Sequence, residues 1–162
     1  MMRIALLVLA LPATAHAQSL TLDFQSWLTA NGYGAFGFER SDLTGGSFGG
    51  RQQPSDPVVR DPVIFVHGNG DQASDWSASR TAFLADGYTD AELYATTWGP
   101  ASALQIPQQY HSRDHLEYLR AFVEAVLDYT GAAKVDIIGH SMGVTLMRKV
   151  IQGGTATDAL GG

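Results

Sequence analysis

A serine lies between two glycines in the segment Gly139-His140-Ser141-Met142-Gly143. This spacing fits G-x-S-x-G, in which a nucleophilic serine occupies a tight turn between a strand and a helix. Such a turn strains the backbone at the serine, and the two glycines let strand and helix approach without Cβ clashes. The segment therefore predicts Ser141 as a covalent nucleophile supported by Gly139 and Gly143. The alternative is an ordinary β–α turn in which Ser141 only caps the helix.

A second glycine-rich segment, His67-Gly68-Asn69-Gly70-Asp71, follows an earlier apolar run. Acyl transfer needs two N–H donors aimed at the carbonyl oxygen as it becomes an oxyanion. The backbone N–H of Met142 is predicted to be one donor and that of Asn69 the other, because Gly68 gives the loop freedom to turn an N–H inward. His67 is expected to support this loop as a structural histidine. A plain glycine-rich turn is the alternative.

The histidines decide whether Ser141 has a base, since a serine hydroxyl is a poor nucleophile without one. No histidine follows Ser141 in the sequence. His140 is expected to point away from the serine because neighbours at a strand end face opposite sides. His111 and His115 are four residues apart, but no third ligand accompanies them, so no metal site is predicted. None of these histidines is a convincing base.

Three apolar runs predict the strands that position the two segments. They are PVIFVHG at 62–68, AELYATTWG at 91–99 and KVDIIGHS at 134–141. Each is followed by a helical pattern, at 74–88, 112–131 and 142–154, and Ser112 and Gly131 are expected to cap the second helix. This alternation predicts an α/β fold with a parallel sheet flanked by helices. Both glycine-rich segments follow the carboxyl ends of predicted strands.

The N-terminal part is expected to contribute little regular structure. Residues 1–17 read as a signal peptide, with one cation at Arg3, a short apolar run and an Ala15-x-Ala17 ending, which predicts secretion. Residues 18–60 are expected to be a loose Gly/Pro-rich lead-in with one possible short strand around Gly34–Phe38. Residues 61–162 are assigned to a partial domain.

Composition restricts the class of protein and of partner. The 162 residues are 45% hydrophobic and 16% charged, as in a globular protein with one modest domain. The net charge of −6 disfavours nucleic acid and anionic membranes, so a neutral substrate is expected. No cysteine is present, so packing alone must stabilise the fold. The oligomeric state is left open.

Several of these stretches, PVIFVHGNGD, YATTWGP and VDIIGHSMGVTLMRKVI, resemble the α/β-hydrolase fold and, more narrowly, the secreted lipase family known as lipase class 2. GGSFGG and DGYTDAELYATTWG are similar to that family too, so the resemblance covers roughly residues 32 to 153. It implies Ser141 as nucleophile, oxyanion N–H groups at Asn69 and Met142, and hydrolysis of carboxylic esters, with acylglycerols as the expected class. No metal or organic cofactor is implied.

The chain departs from this pattern after the serine. In the α/β-hydrolase fold an acid and then a histidine follow the nucleophile, whereas Asp158 is the only acid after Ser141. We therefore expect an N-terminal portion of a catalytic domain, truncated after the nucleophile helix and nearly inactive alone. A non-catalytic chain, a polyester depolymerase, a thioesterase and an amidase of the same fold remain alternatives.

Overall fold

The computed structural model describes residues 19–153, so the predicted signal peptide and Asp158 lie outside the described residues. The helices in this range are α1 (Leu22–Ala30), α2 (Ser77–Ala85), α3 (Arg113–Thr130) and α4 (Met142–Gln152). The strands are β1 (Ser47–Phe48), β2 (Val63–Val66), β3 (Leu93–Thr96) and β4 (Asp136–Gly139). Short 3-10 helices occupy Gly34–Phe36, Ala73–Trp76, Asp90–Glu92 and Ala103–Gln108.

The four strands form one sheet in the order β1-β3-β2-β4. β2 runs parallel to both β3 and β4, as the strand–helix alternation predicts. β1 runs antiparallel to β3, with Ser47 opposite Thr96, so the sheet is mixed rather than wholly parallel. The α/β class is confirmed, and the antiparallel strand is an addition that the sequence patterns did not predict.

The register of the sheet brings the two glycine-rich segments to one edge. Val66 lies opposite Gly139 at the carboxyl ends of β2 and β4. All four residues of β2 are buried, as expected for a continuous apolar run covered on both faces. β4 is less covered, because Asp136 is exposed and the next three residues are half-buried.

Each face of the sheet packs against its own layer. Alternate strand residues point to opposite faces, which separates two buried clusters. One cluster joins the sheet to α1, α3 and α4 and includes Phe24, Leu28, Ile64, Val66, Tyr94, Leu119, Phe122, Val126 and Leu146. The other faces α2 and includes Phe48, Val63, Phe65, Ala73, Leu93 and Ala95, with Trp76 and Phe83 partly buried beside them.

The longest helix, α3, begins and ends where the sequence predicts. The Ser112 hydroxyl accepts a hydrogen bond from the His115 N–H at 3.2 Å, which caps the helix start. Gly131 takes a left-handed conformation with φ of 71° and donates to the Leu127 carbonyl at 2.8 Å. No helix among residues 19–153 is both long and apolar enough to cross a bilayer.

The N-terminal part is more ordered than a loose lead-in. α1 begins at a Thr21 cap, whose hydroxyl accepts from the Phe24 N–H at 3.3 Å, and it buries Phe24 and Leu28 against the sheet. The predicted strand around Gly34–Phe38 is wrong, since Gly34–Phe36 forms a 3-10 helix. The strand in this part of the chain is β1 instead. Backbone pairing with β3, rather than local composition, creates it.

Candidate active site

Ser141 sits between β4 and α4 with φ of 49° and ψ of −123°. Only Arg40, Ala101 and Ser141 have positive φ among the non-glycine residues described. Such backbone is strained for an L-residue and is typical of functional turns. The Ser141 hydroxyl forms no capping hydrogen bond with α4, in contrast to Ser112 at the start of α3. This geometry argues against an ordinary helix cap.

The glycines on either side of this turn, Gly139 and Gly143, lie too close to neighbouring backbone to accommodate a Cβ. A Cβ on Gly143 would lie 2.6 Å from the Val66 carbonyl oxygen and closer still to that of His67. A Cβ on Gly139 would lie 3.0 Å from the Val144 nitrogen. The first turn of α4 therefore packs directly against the backbone at the end of β2.

The loop of residues 67–71, called here the oxyanion loop, lies against the serine. A Cβ on Gly68 would come within 3.0 Å of the Ser141 Cβ, 2.9 Å of the His140 Nδ1 and 2.8 Å of the Asp71 Oδ2. The structure thus brings together the two segments that the sequence predicts to cooperate, although 73 positions separate Gly68 from Ser141 (141 minus 68).

Two backbone N–H groups at this junction remain available. Among residues 19–153, neither the N–H of Asn69 nor that of Met142 donates a hydrogen bond. The Gly143 N–H, by contrast, donates to the His140 carbonyl at 2.9 Å. Free N–H groups at a helix start favour an anion, and so does the helix dipole. The backbone N–H groups of Asn69 and Met142 thus have no acceptor among the described residues, and that of Met142 lies at the start of α4.

His67 is fixed in the interior by Trp98. The Trp98 backbone N–H donates to the His67 Nε2 at 3.0 Å, and the Trp98 Nε1 donates to the His67 carbonyl at 3.0 Å. Because Nε2 accepts, Nδ1 carries the proton and donates to the Gly68 carbonyl at 2.7 Å. Burial lowers the pKa of His67 from 6.5 to about 4. The ring is neutral, and its accepting nitrogen is already engaged, so His67 has no lone pair to offer Ser141.

His140 has the opposite environment. Its side chain is 66% exposed, and its Nδ1 lies 3.4 Å from the Asp71 Oδ2. It lines a cleft of about 310 Å³ together with His67, Asp71, Asp75, Trp76 and Ser79. Within the described residues, no hydrogen bond joins the Ser141 hydroxyl to His140 or to any other side chain.

The remaining described histidines serve other contacts. The His111 Nε2 lies 2.5 Å from the Thr145 hydroxyl on α4, and the His115 Nδ1 lies 3.2 Å from the Tyr110 carbonyl oxygen. The two therefore do not share a helix face, because His111 precedes α3. Over residues 19–153, no group of three or more metal-ligating side chains is arranged to hold a metal ion.

Two contributors to the site were not predicted from the sequence. Trp98 fixes His67, and Ile106 covers the oxyanion loop by accepting a hydrogen bond from the Asn69 Nδ2 at 3.0 Å. The position of Trp98, at the carboxyl end of the second predicted strand, was the available signal. No sequence pattern indicates that Ile106 contacts Asn69.

One comparison with known proteins adds to this geometry. The model of a family described as Lipase (class 2) matches residues 60–161. The matched range begins just before β2 and includes both the oxyanion loop and the Ser141 turn.

Proposed function

Because this chain belongs to the lipase class 2 family, a family of lipase-type hydrolases, we propose that it hydrolyses carboxylic esters through an acyl-enzyme on Ser141. Acylglycerols are the proposed substrate class. A neutral ester suits a protein whose net charge is −6. The observation that carries the proposal is the strained backbone turn at Ser141. Beside this turn, the backbone N–H groups of Asn69 and Met142 donate no hydrogen bond within residues 19–153.

The proposed reaction begins with attack of the Ser141 Oγ on the ester carbonyl carbon. The hydroxyl proton passes to a base, and the carbonyl oxygen becomes an oxyanion that accepts hydrogen bonds from the N–H groups of Asn69 and Met142. Collapse of this intermediate expels the alcohol, which takes up the proton. Water then attacks the acyl-enzyme through a second oxyanion, releasing the carboxylic acid and restoring the serine.

We propose that none of the described histidines is the base. His67 uses both ring nitrogens inside the fold, and His140 forms no hydrogen bond with the serine. We propose that residues 18–162 purified alone hydrolyse a short-chain nitrophenyl ester on the order of 10⁴- to 10⁶-fold more slowly than a serine hydrolase with all three triad residues. Ordinary enzyme rates, abolished by Ser141→Ala, would mean that an upstream histidine or a second copy supplies the base.

Covalent labelling tests the nucleophile directly. In a full-length family member that carries this segment, a fluorophosphonate probe should label Ser141, and Ser141→Ala should abolish labelling. Ser79→Ala is the matched control, because Ser79 lines the neighbouring cleft. Labelling that persists in Ser141→Ala would refute the assignment by showing that another residue reacts, whereas no labelling of the unmodified protein would favour a non-catalytic chain.

The oxyanion donor at position 69 has its own matched pair of variants. In the same full-length protein, Asn69→Pro removes the backbone N–H and should cost about 2.7–4 kcal/mol of transition-state stabilisation. Asn69→Ala keeps that N–H and removes only the side chain. Equal losses in the two variants would assign the effect to the side chain, and normal turnover in Asn69→Pro would move the donor elsewhere.

We also propose that the protein is exported, with a mature chain beginning near Gln18. This proposal is based on the arrangement of Arg3, the apolar residues that follow it and the Ala15-x-Ala17 ending. Mass spectrometry of the secreted protein should find Gln18 or a near neighbour at the N-terminus. Recovery of exported protein that retains residues 1–11 would contradict the proposal.

A further inference from the structure

Arg40 lies in the N-terminal part of the chain, yet its side chain reaches the loop that follows β3. The Arg40 Nη1 donates to the Thr97 carbonyl at 2.5 Å and to the Gly99 carbonyl at 2.8 Å. These two carbonyls stand on either side of Trp98 in the chain. Hydrogen bonds from a charged donor are stronger than neutral ones, so this contact, called here the arginine clamp, holds the backbone around Trp98.

The backbone of Arg40 is itself held in a fixed turn. Its φ is 49°, and its N–H donates to the Gly37 carbonyl at 3.0 Å. A Cβ on Gly46 would lie 2.6 Å from the Arg40 carbonyl oxygen, so the turn is closely packed. The Asp42 carboxylate accepts from the Arg40 Nε and Nη2, each at 2.8 Å. The guanidinium therefore reaches β3 from a defined position.

Trp98 connects the arginine clamp to the oxyanion loop through His67. The Trp98 N–H donates to the His67 Nε2, so the ring proton stays on Nδ1, which donates to the Gly68 carbonyl at 2.7 Å. The Gly68 carbonyl and the Asn69 N–H belong to one peptide group, which is planar and trans. Holding that carbonyl therefore also sets the direction of the Asn69 N–H.

We propose that Arg40 is a positioning residue that acts through Trp98 to keep the Asn69 N–H directed at the oxyanion. This inference rests on the proposed function, because Asn69 meets an oxyanion only if Ser141 attacks an ester. Burial is the main cause of the low pKa of His67, and the positive charge of Arg40 lowers it further. Both effects keep the ring neutral, with a single proton to place.

Loss of the arginine clamp would release the proton of the His67 ring. Once the Trp98 N–H no longer reserves Nε2 as an acceptor, the ring populates both neutral tautomers. In the second tautomer the Nδ1 lone pair faces the Gly68 carbonyl oxygen, and their repulsion favours rotation of the peptide group. The Asn69 N–H then turns away from the oxyanion although the ester still binds, so kcat should fall while KM stays unchanged.

Kinetics of a full-length family member that carries this segment measure the effect on the proposed reaction. Arg40→Met should lower kcat for a short-chain nitrophenyl ester about tenfold or more, with KM unchanged. Arg40→Lys keeps the charge but not the planar guanidinium, so it should recover part of the loss. Arg51→Met is the matched control, because Arg51 also donates to two carbonyls, those of Asp56 and Tyr129. Its kcat should equal that of the unmodified protein.

Nuclear magnetic resonance of the full chain tests the arginine clamp without requiring catalysis. Nitrogen chemical shifts of the His67 ring should show the proton on Nδ1 alone in the unmodified chain and in Arg51→Met. In Arg40→Met they should show a mixture of the two tautomers. Arg40→Lys carries both measurements if Arg40→Met does not fold, with smaller changes expected in the same direction.

Each outcome supports or overturns the proposal. Equal kcat values in the Arg40 and Arg51 variants overturn it, because Arg40 would then serve only the stability of the fold. A His67 proton that stays on Nδ1 in the Arg40 variants overturns it as well. Esterase activity that survives Ser141→Ala would refute the proposed nucleophile but would not alter the tautomer of His67, so failure of the proposed function and failure of the clamp give different results.

Discussion

The carboxyl ends of β2 and β4 lie side by side, and each is followed by a histidine, yet the two histidines have opposite environments. His67 is 2% exposed, stacks on Trp98 with ring centroids 5.1 Å apart, and uses both ring nitrogens. The His140 side chain is 66% exposed, and its Nδ1 lies 3.4 Å from the Asp71 Oδ2. Histidine at the end of β2 is therefore part of the buried interior, whereas histidine at the end of β4 faces solvent.

This difference between the two histidines shows that the carboxyl ends of β2 and β4 are held in place by different kinds of contact. The end of β2 is fixed by buried hydrogen bonds, so the oxyanion loop starts from a rigid position. The end of β4 is fixed by backbone contacts instead, because Gly143 packs against the carbonyls of Val66 and His67. Substitutions at the two strand ends should therefore lower the free energy of unfolding by different amounts.

The largest effect is expected where the two strand ends touch. Gly143→Ala places a Cβ 2.6 Å from the Val66 carbonyl oxygen, so backbone must move, and we expect a loss of about 3 kcal/mol or more. Urea unfolding followed by circular dichroism measures it. Gly34→Ala is the control, because its nearest contact would be an ordinary 3.4 Å and its loss should be below about 1 kcal/mol. Equal losses would show that the close approach is not decisive.

Removing the buried ring should have the next largest effect. His67→Ala leaves the Trp98 N–H without its acceptor and opens a cavity beside the indole ring. We expect a loss of about 2–3 kcal/mol, measured by the same urea titration. A loss below about 0.5 kcal/mol would contradict the structural role given to His67.

Acid should weaken the fold through the same residue. The pKa of His67 falls from 6.5 to about 4 on folding, so between these values the unfolded chain binds more protons, and stability falls as the pH is lowered. From pH 6.5 to pH 5 the His67 contribution should fall by about 1.5 kcal/mol. Comparison with His67→Gln isolates it, because glutamine does not titrate. Parallel pH profiles for the two proteins would disprove the shift.

The smallest effect is expected at the exposed strand end. His140→Ala removes a largely exposed side chain and its contact with Asp71, and exposed contacts are worth about 0–1 kcal/mol even between charged groups. We expect a change within about 0.5 kcal/mol in the urea titration. A loss as large as that of His67→Ala would remove the contrast between the two histidines.

Sequence patterns predicted the elements whose signal is local. The buried run at Val63–Val66 and the long amphipathic helix Arg113–Thr130 carry their own periodicity, so their positions agree with the structure. α1 escaped prediction because it has only nine residues and lies next to glycine-rich sequence. β1 has two residues and exists only through its pairing with β3, which no local pattern records.

The residues of the candidate site also fall into those with a local sequence signal and those placed by tertiary contacts. Ser141, Met142 and Asn69 stand in motifs that a short stretch of sequence contains, and their catalytic roles stay predictions. The partners Trp98 and Ile106 reach the site only through tertiary contacts with His67 and Asn69. Pairings over such distances depend on the register of the sheet and on loop paths, which periodicity does not encode.

The backbone of Ser141 has an evolutionary consequence. Its φ of 49° and ψ of −123° suit glycine better than any residue with a side chain, and such strain costs on the order of 1–3 kcal/mol. At this position, selection for abundance favours glycine, and selection for chemistry favours serine. A lineage released from selection for catalysis would thus gain stability by replacing Ser141 with glycine.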